Sequence, residues 1–215
     1  VAPLAAKLKA KYGLEFLSIG GGLGIKYEDA LVSGEASWWS REEAKGILTP
    51  AKYAATLVPL LQPLGLKILI EPGRFISGNA GILVTRVEYV KRTGQKYFAI
   101  VDAAMNDLLR PAFYESYHEI IPVKKTRARP VKTDVVGGIC ETGDTFCQDR
   151  PIPRVAEGDF LAILSAGAYG FVMASTYNSR PLAAEVLVKG RRAAEVRERQ
   201  TLKDVWAGEK IAPWQ

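Results

Sequence analysis

Close to residue 78 the patterning of this chain changes, and that change restricts the possible folds more than any other feature. Upstream, Leu14 to Ile19 reads as a buried strand that a run of glycines ends sharply. Thr49 and Pro50 form an N-cap followed by proline at the first helical position. Tyr53, Leu57, Leu60 and Leu61 then give a helical apolar stripe up to Pro63, and Leu66 to Ile70 reads as a second strand. Strand, glycine loop, helix, strand is the order of a parallel βαβ unit, repeated too few times here to close a barrel of the usual eight strands. Downstream, Ile82–Val90, Tyr97–Val101, Thr133–Val136, Phe160–Leu164 and Ala183–Val188 are β-rich runs separated by Gly, Pro and Asp. The expectation is the C-terminal end of an α/β barrel over 1–78, then a mostly antiparallel β domain over 79–215. A short helix is expected within 104–117.

The opening stretch, Val1 to Tyr12, reads as the tail of an amphipathic helix feeding the first strand, an unusual place for a gene to begin. The expectation is a chain cut from a longer one. Ser33 to Arg41, with Trp38 and Trp39, reads as a surface excursion whose aromatics could cover an edge or a partner. No apolar run approaches the roughly 20 residues that cross a bilayer. The net charge of +6 comes mostly from scattered residues, with no aromatic interleaving for base stacking, so a solvated basic face is expected and not nucleic-acid binding. Two cysteines and one histidine supply no disulfide framework and no metal-ligand spacing; a cytoplasmic setting is expected.

Six motifs carry possible chemistry. Gly20, Gly21, Gly22 and Gly24 follow a strand, where backbone N–H groups can turn toward an anion without side-chain obstruction. By itself such a run is more often a tight turn. Glu71-Pro72-Gly73-Arg74 ends the next strand and should open on the same face, although a surface Glu–Arg turn would look alike. Arg110 and Tyr114 lie four apart and should share a helical face, offering a planar cation and a hydroxyl to a carboxylate. Cys140 and Glu141 lie between Gly137-Gly138 and Gly143-Asp144, a thiol proton donor beside a polar anchor. A lone Cys is normally a small buried hydrophobe. Tyr169, between Gly167 and Gly170, and the segment Tyr177 to Pro181 complete the set, and His118 reads as a packing or supporting group.

In order and spacing these motifs resemble diaminopimelate decarboxylase, among the alanine-racemase-like pyridoxal-phosphate enzymes, from about Leu14 to about Val188. The resemblance implies a (β/α)8 barrel followed by a β-sandwich-like domain, pyridoxal phosphate as cofactor, and decarboxylation of meso-diaminopimelate to L-lysine. It implies cofactor contacts by Gly21, Gly22, Glu71, Gly73, Arg74 and Tyr169, with Glu71 beside the pyridine nitrogen. Arg74, Arg110, Tyr114, Glu141 and Tyr169 would bind substrate, and Cys140 would be the catalytic proton donor. It further implies a homodimer in which Cys140 and Glu141 reach the neighbouring subunit's barrel. Two positions depart mildly from the family pattern, Ser18 for an Asp or Asn and Thr142 for a Ser.

The family's Schiff-base lysine and ring-stacking histidine would lie upstream of Val1, and Lys26 is not assigned that role. Decarboxylases of ornithine, arginine or carboxynorspermidine are the rival enzymes, and Arg110 and Tyr114 argue against the first two, which must grip a distal cation. A non-catalytic regulatory homologue lacking the lysine is the rival outside enzymes. The chain by itself is expected neither to form a lysine imine with the cofactor nor to decarboxylate. An absorbance spectrum showing that imine with this chain alone would overturn the expectation.

Overall fold

A computed structural model describes residues 1–94 and 96–214, and their side chains except those of Trp39 and Glu43. The proposed covering role of Trp39 therefore lies outside the described residues. Helix α1 (Ala2–Tyr12) ends at Gly13, whose φ of 66° is left-handed and whose N–H donates to Lys9 O. Lys9 Nζ donates to Leu64 O at 2.7 Å and anchors the helix. Strands β1 (Phe16–Ser18) and β2 (Lys67–Leu69) pair in parallel, with α2 (Pro50–Leu61) between them in sequence. Thr49 caps α2 by accepting from Lys52 N, as its sequence predicts.

Two expectations for this α/β part need correction. The first strand is not buried: Phe16 is exposed, because among the described residues β1 has only β2 as a neighbour. Tyr53, Leu57 and Leu61 line one groove with Ile19, Ile68 and Ile70, whereas Leu60 turns to solvent. The Ser33–Arg41 excursion also differs. It folds into short 3-10 turns that carry Trp38 inward to 1% exposure, with Lys26 Nζ 5.4 Å from its ring centroid.

After α3 (Gly73–Ser77) the chain enters the β domain. Its strands are β3 (Leu83–Thr93), β4 (Lys96–Val101), β5 (Ile120–Pro122), β6 (Pro130–Val136), β7 (Thr145–Pro153) and β8 (Phe160–Ile163). They form a six-stranded sheet in the order β5-β8-β3-β4-β6-β7, antiparallel except for the β4–β6 pair. The short helix expected within 104–117 is α4 (Arg110–Tyr114). The sheet curls until its two edge strands approach each other. Arg150 of β7 closes the seam, donating to His118 O and stacking on Tyr117, with 4.0 Å between guanidinium and ring centroid. Inside lies a core that includes Val87, Val101, Leu108, Val135, Leu161 and Ile163. A separate hairpin, β9 (Glu185–Lys189) and β10 (Arg192–Arg197), precedes the capped turn α5 (Leu202–Val205).

Strands β5, β7 and β10 are absent from the pattern of β-rich runs. β7 carries two prolines and two charged residues, which suit an edge position but hide the strand signal. β10 alternates little and is exposed along its whole length, its centre being Ala-Ala-Glu-Val.

The two parts meet backbone against backbone. Ala166 N donates to Gly81 O at 2.8 Å and Gly167 N to Gly78 O at 3.1 Å. Asn79 Nδ2 bridges Lys26 O and Ser165 Oγ. A Cβ on Gly167 would stand 1.9 Å from Ser77 O, well inside contact distance. Gly167→Ala should therefore lower unfolding stability by roughly 2–4 kcal/mol, read from the midpoint of urea unfolding.

Candidate active site

β1 and β2 are parallel and in register, Ser18 opposite Leu69, so the loops that follow them emerge at one end. Two further bonds, Ile19 N to Leu69 O and Glu71 N to Gly20 O, carry the pairing into those loops. Gly20 and Gly22 have φ of 71° and 90°, in the region glycine favours. A Cβ on Gly21 would lie 2.7 Å from Glu71 O, so only glycine allows the two loops to touch there. Ser18 Oγ donates to Glu71 Oε1 at 2.5 Å and accepts from Gly20 N at 3.2 Å. One hydroxyl thus fixes both the glycine loop and the carboxylate. Among the described residues, the N–H groups of Gly21, Gly22 and Gly24 have no hydrogen-bond partner. Left open at the end of a strand pair, they can receive an anion.

Beyond Gly73, the side chains of Arg74, Arg110, Tyr114, Ser116, Tyr169 and Met173 line a cleft of about 370 Å³. Arg74 lies 5.5 Å from the Tyr169 ring centroid. Tyr169 has a φ of 60°, a conformation a non-glycine residue adopts at some cost. The next residue, Gly170, packs on Ala166 O with no room for a Cβ. The following segment is tied down by Arg180 Nε, which donates to Asn106 Oδ1 at 2.9 Å.

Arg110 and Tyr114 both reach the cleft, but not as equal members of one exposed face. Tyr114 is exposed, whereas Arg110 is 5% exposed. Arg110 Nη1 lies 3.1 Å from His118 Nε2, and Nη2 donates to Ser116 Oγ at 3.3 Å. The Tyr27 ring lies beneath the guanidinium at 4.8 Å. Among the described residues, no carboxylate pairs with Arg110. His118, fully buried, has Nδ1 2.9 Å from Leu164 O. That carbonyl can only accept, so Nδ1 carries the proton and Nε2 is free to accept from Arg110. Burial lowers the His118 pKa to about 4, and the nearby Arg110 and Arg150 act in the same direction.

Cys140 and Glu141 do not line this cleft. Both are exposed on the 137–144 turn. Buried Asp144 shapes that turn: Oδ1 accepts from Met105 N and Oδ2 from Ile139 N, each at 2.7 Å. A Cβ on Gly137 would meet the Asp144 carboxylate at 2.3 Å. Glu141 Oε1 accepts from Gly143 N at 3.2 Å. Cys147 is buried, which pushes its thiol pKa up. Among the described residues no cluster could hold a metal ion, and no helix is long and apolar enough to cross a membrane.

The geometry thus gathers the sequence-selected residues into two sets. Gly21, Gly22, Glu71, Gly73, Arg74, Arg110, Tyr114 and Tyr169 follow one continuous path from the glycine loop to the cleft, while Cys140 and Glu141 are exposed on a turn and do not line it. Ser18, Tyr27, Ser116 and Asp144 are supporting residues that sequence motifs left unassigned. Ser18 had a legible signal, a hydroxyl directly before a glycine run. Tyr27 had none, because its contact with His118 joins distant segments.

Pyridoxal phosphate suits this arrangement: free backbone donors for its phosphate, a fixed carboxylate for its ring nitrogen, and a tyrosine and an arginine alongside. The comparisons agree. Residues 17–167 match the C-terminal sheet domain of the pyridoxal-dependent decarboxylases, and the chain belongs to that family. Within it, the similarity is to diaminopimelate decarboxylases. The Aquifex aeolicus enzyme is 49% identical over 88% of this chain, and the Pseudomonas aeruginosa enzyme 46% identical over 94%. The chain spans 42% and 45%, respectively, of their lengths. A crystal structure of the M. jannaschii diaminopimelate decarboxylase with L-lysine superposes on the whole chain, which covers 47% of it, with a TM-score of 0.86 at 33% identity.

The neutral His118 has a consequence for stability. Its folded pKa lies below the unfolded value of 6.5, so the unfolded chain binds the proton more readily. Its contribution is complete above pH 6.5 and is lost as pH falls toward 4, by about 3 kcal/mol in all. Unfolding measured across that range should show this loss, and His118→Gln should remove that component.

Proposed function

We propose that this chain forms the C-terminal part of a pyridoxal-phosphate-dependent decarboxylase that converts meso-2,6-diaminopimelate to L-lysine and carbon dioxide. The observation that carries the reading is the buried, carboxylate-free guanidinium of Arg110 at the cleft. A buried cation without an anionic partner is costly, and a substrate carboxylate would offset that cost. A diacid brings such a group at the end remote from the reaction. Ornithine or arginine would bring a second cation to the same place, and like charges repel.

When bound, the cofactor supplies the electron sink for the pair left behind as carbon dioxide departs. The chain's residues do the rest. The open N–H groups of Gly21 and Gly22, with Gly73 and Arg74, would hold the phosphate. Glu71, oriented by Ser18, would be the carboxylate that keeps the ring nitrogen protonated, and Tyr169 would pack beside the cofactor. Arg110 and Tyr114 grip the distal carboxylate and so set the distance from that end to the reacting carbon.

Cys140 then delivers the proton from Sγ to the carbon that has lost its carboxylate, and it recovers one from solvent. Glu141 binds the distal ammonium. Exposed on a turn and absent from the cleft lining, this pair is accessible to act across a subunit boundary in a cytoplasmic homodimer, each copy supplying Cys140 and Glu141 to its neighbour.

The intact, cofactor-loaded enzyme should release lysine from meso-diaminopimelate and leave ornithine unchanged. Arg110→Ala should lower kcat/KM for diaminopimelate by about 100-fold, mainly through KM. Equal turnover of ornithine would overturn the reading.

A further inference from the structure

Arg110 is held in place by groups that carry no charge. His118 Nε2 accepts from Nη1, Ser116 Oγ accepts from Nη2, and the Tyr27 ring faces the guanidinium. The acidic side chains nearest in sequence are committed elsewhere or exposed. Asp107 accepts from Ala104 N at 2.9 Å and from Asn106 Nδ2 at 3.3 Å, Glu119 Oε2 accepts from Ala30 N at 2.7 Å, and Glu115 is exposed at the left-handed end of α4. The other charged group at His118 is Arg150, a second cation, which binds the His118 carbonyl. An arginine this buried is usually paired with a carboxylate. Here the site instead uses neutral acceptors, which fix the guanidinium without cancelling its charge.

We propose that His118, supported by Ser116 and Tyr27, is a positioning residue that keeps Arg110 oriented and uncompensated, so that the distal substrate carboxylate is its first anionic partner. The tautomer follows from the backbone: Leu164 O takes the Nδ1 proton, and Nε2 must then accept. Tyr27 has a role here that its hydroxyl does not explain, since among the described residues that buried oxygen has no hydrogen-bond partner and the ring face makes the contact. The inference deepens the function proposed above and rests on it for the identity of the substrate alone.

The test is to place a carboxylate where the neutral acceptor stands. His118→Glu would satisfy Arg110 as well as histidine does, so a purely structural role predicts no loss of ligand affinity. If the charge must stay uncompensated, His118→Glu should weaken binding of pimelate, the substrate's carbon chain without its amines. The loss should be roughly 10- to 100-fold by calorimetry on the intact, cofactor-loaded enzyme. KM for diaminopimelate should rise in parallel while kcat stays within about threefold. His118→Gln, which can still donate to Leu164 and accept from Arg110, should retain most of the affinity.

Ser116→Asp makes the same change at a less buried position and carries the test if His118→Glu does not fold. Pimelate affinity that ignores both acidic substitutions overturns the proposal. If pimelate binding follows the expected order but no lysine is released from diaminopimelate, the substrate reading fails and the positioning role stands.

Discussion

The contact on which the rest of the structure depends is the seam between the turn at Gly78–Gly81 and the loop at Ser165–Gly170. Two backbone hydrogen bonds cross it, and its glycines approach closely enough that a single methyl group would push the segments apart. Close backbone packing of this kind tolerates little sliding. It fixes the loop carrying Tyr169 against the turn carrying Arg74, although the two residues lie far apart in sequence and in different layers of the fold. The Gly-Ala-Tyr-Gly motif is therefore as much a joint as a binding element. Its glycines make the contact, and its tyrosine is placed as a result.

The second organising feature is the management of charge around Arg110. Burial would normally call for a carboxylate, and the fold supplies a neutral imidazole, a hydroxyl and an aromatic face. His118 is itself held neutral by burial and by two neighbouring cations. The local stability cost and the proposed affinity for an anionic ligand then share one origin. Ser18 does comparable work at the other end of the site, since one hydroxyl couples the glycine loop to Glu71. A departure from the usual family residue at that position keeps a hydrogen-bonding role.

Several elements were legible in the sequence for identifiable reasons. Thr49-Pro50 announced a helix start because a capping side chain and proline at N1 act locally. The glycines after β1 announced a sharp turn because positive φ is a local requirement. Strands β3, β4, β6 and β8 carried apolar, β-branched runs because they line the core. Elements governed by distant partners were less visible. β7 is an edge strand rich in proline and charge, and Trp38 is buried by turns its neighbours in sequence do not signal. Phe16 and Leu60 erred in the opposite sense: apolar character indicated burial, but nothing among the described residues covers them.

By itself the sequence determined the kinds of chemical group available and their order: glycines after a strand, Glu71 and Arg74 after the next, Arg110 and Tyr114 on one turn, Cys140 beside Glu141. These follow from residue identity and short-range spacing, which the covalent chain sets directly. Only the tertiary structure decided which groups meet. It brought Arg74, Arg110, Tyr114 and Tyr169 around one cleft and left Cys140 and Glu141 exposed on a turn outside its lining. It also placed Tyr27 and His118 against Arg110. Those encounters depend on a parallel strand pair, a curled sheet and a glycine seam, each formed between segments many residues apart. Burial, and with it the charge state of His118, exists only once they have formed.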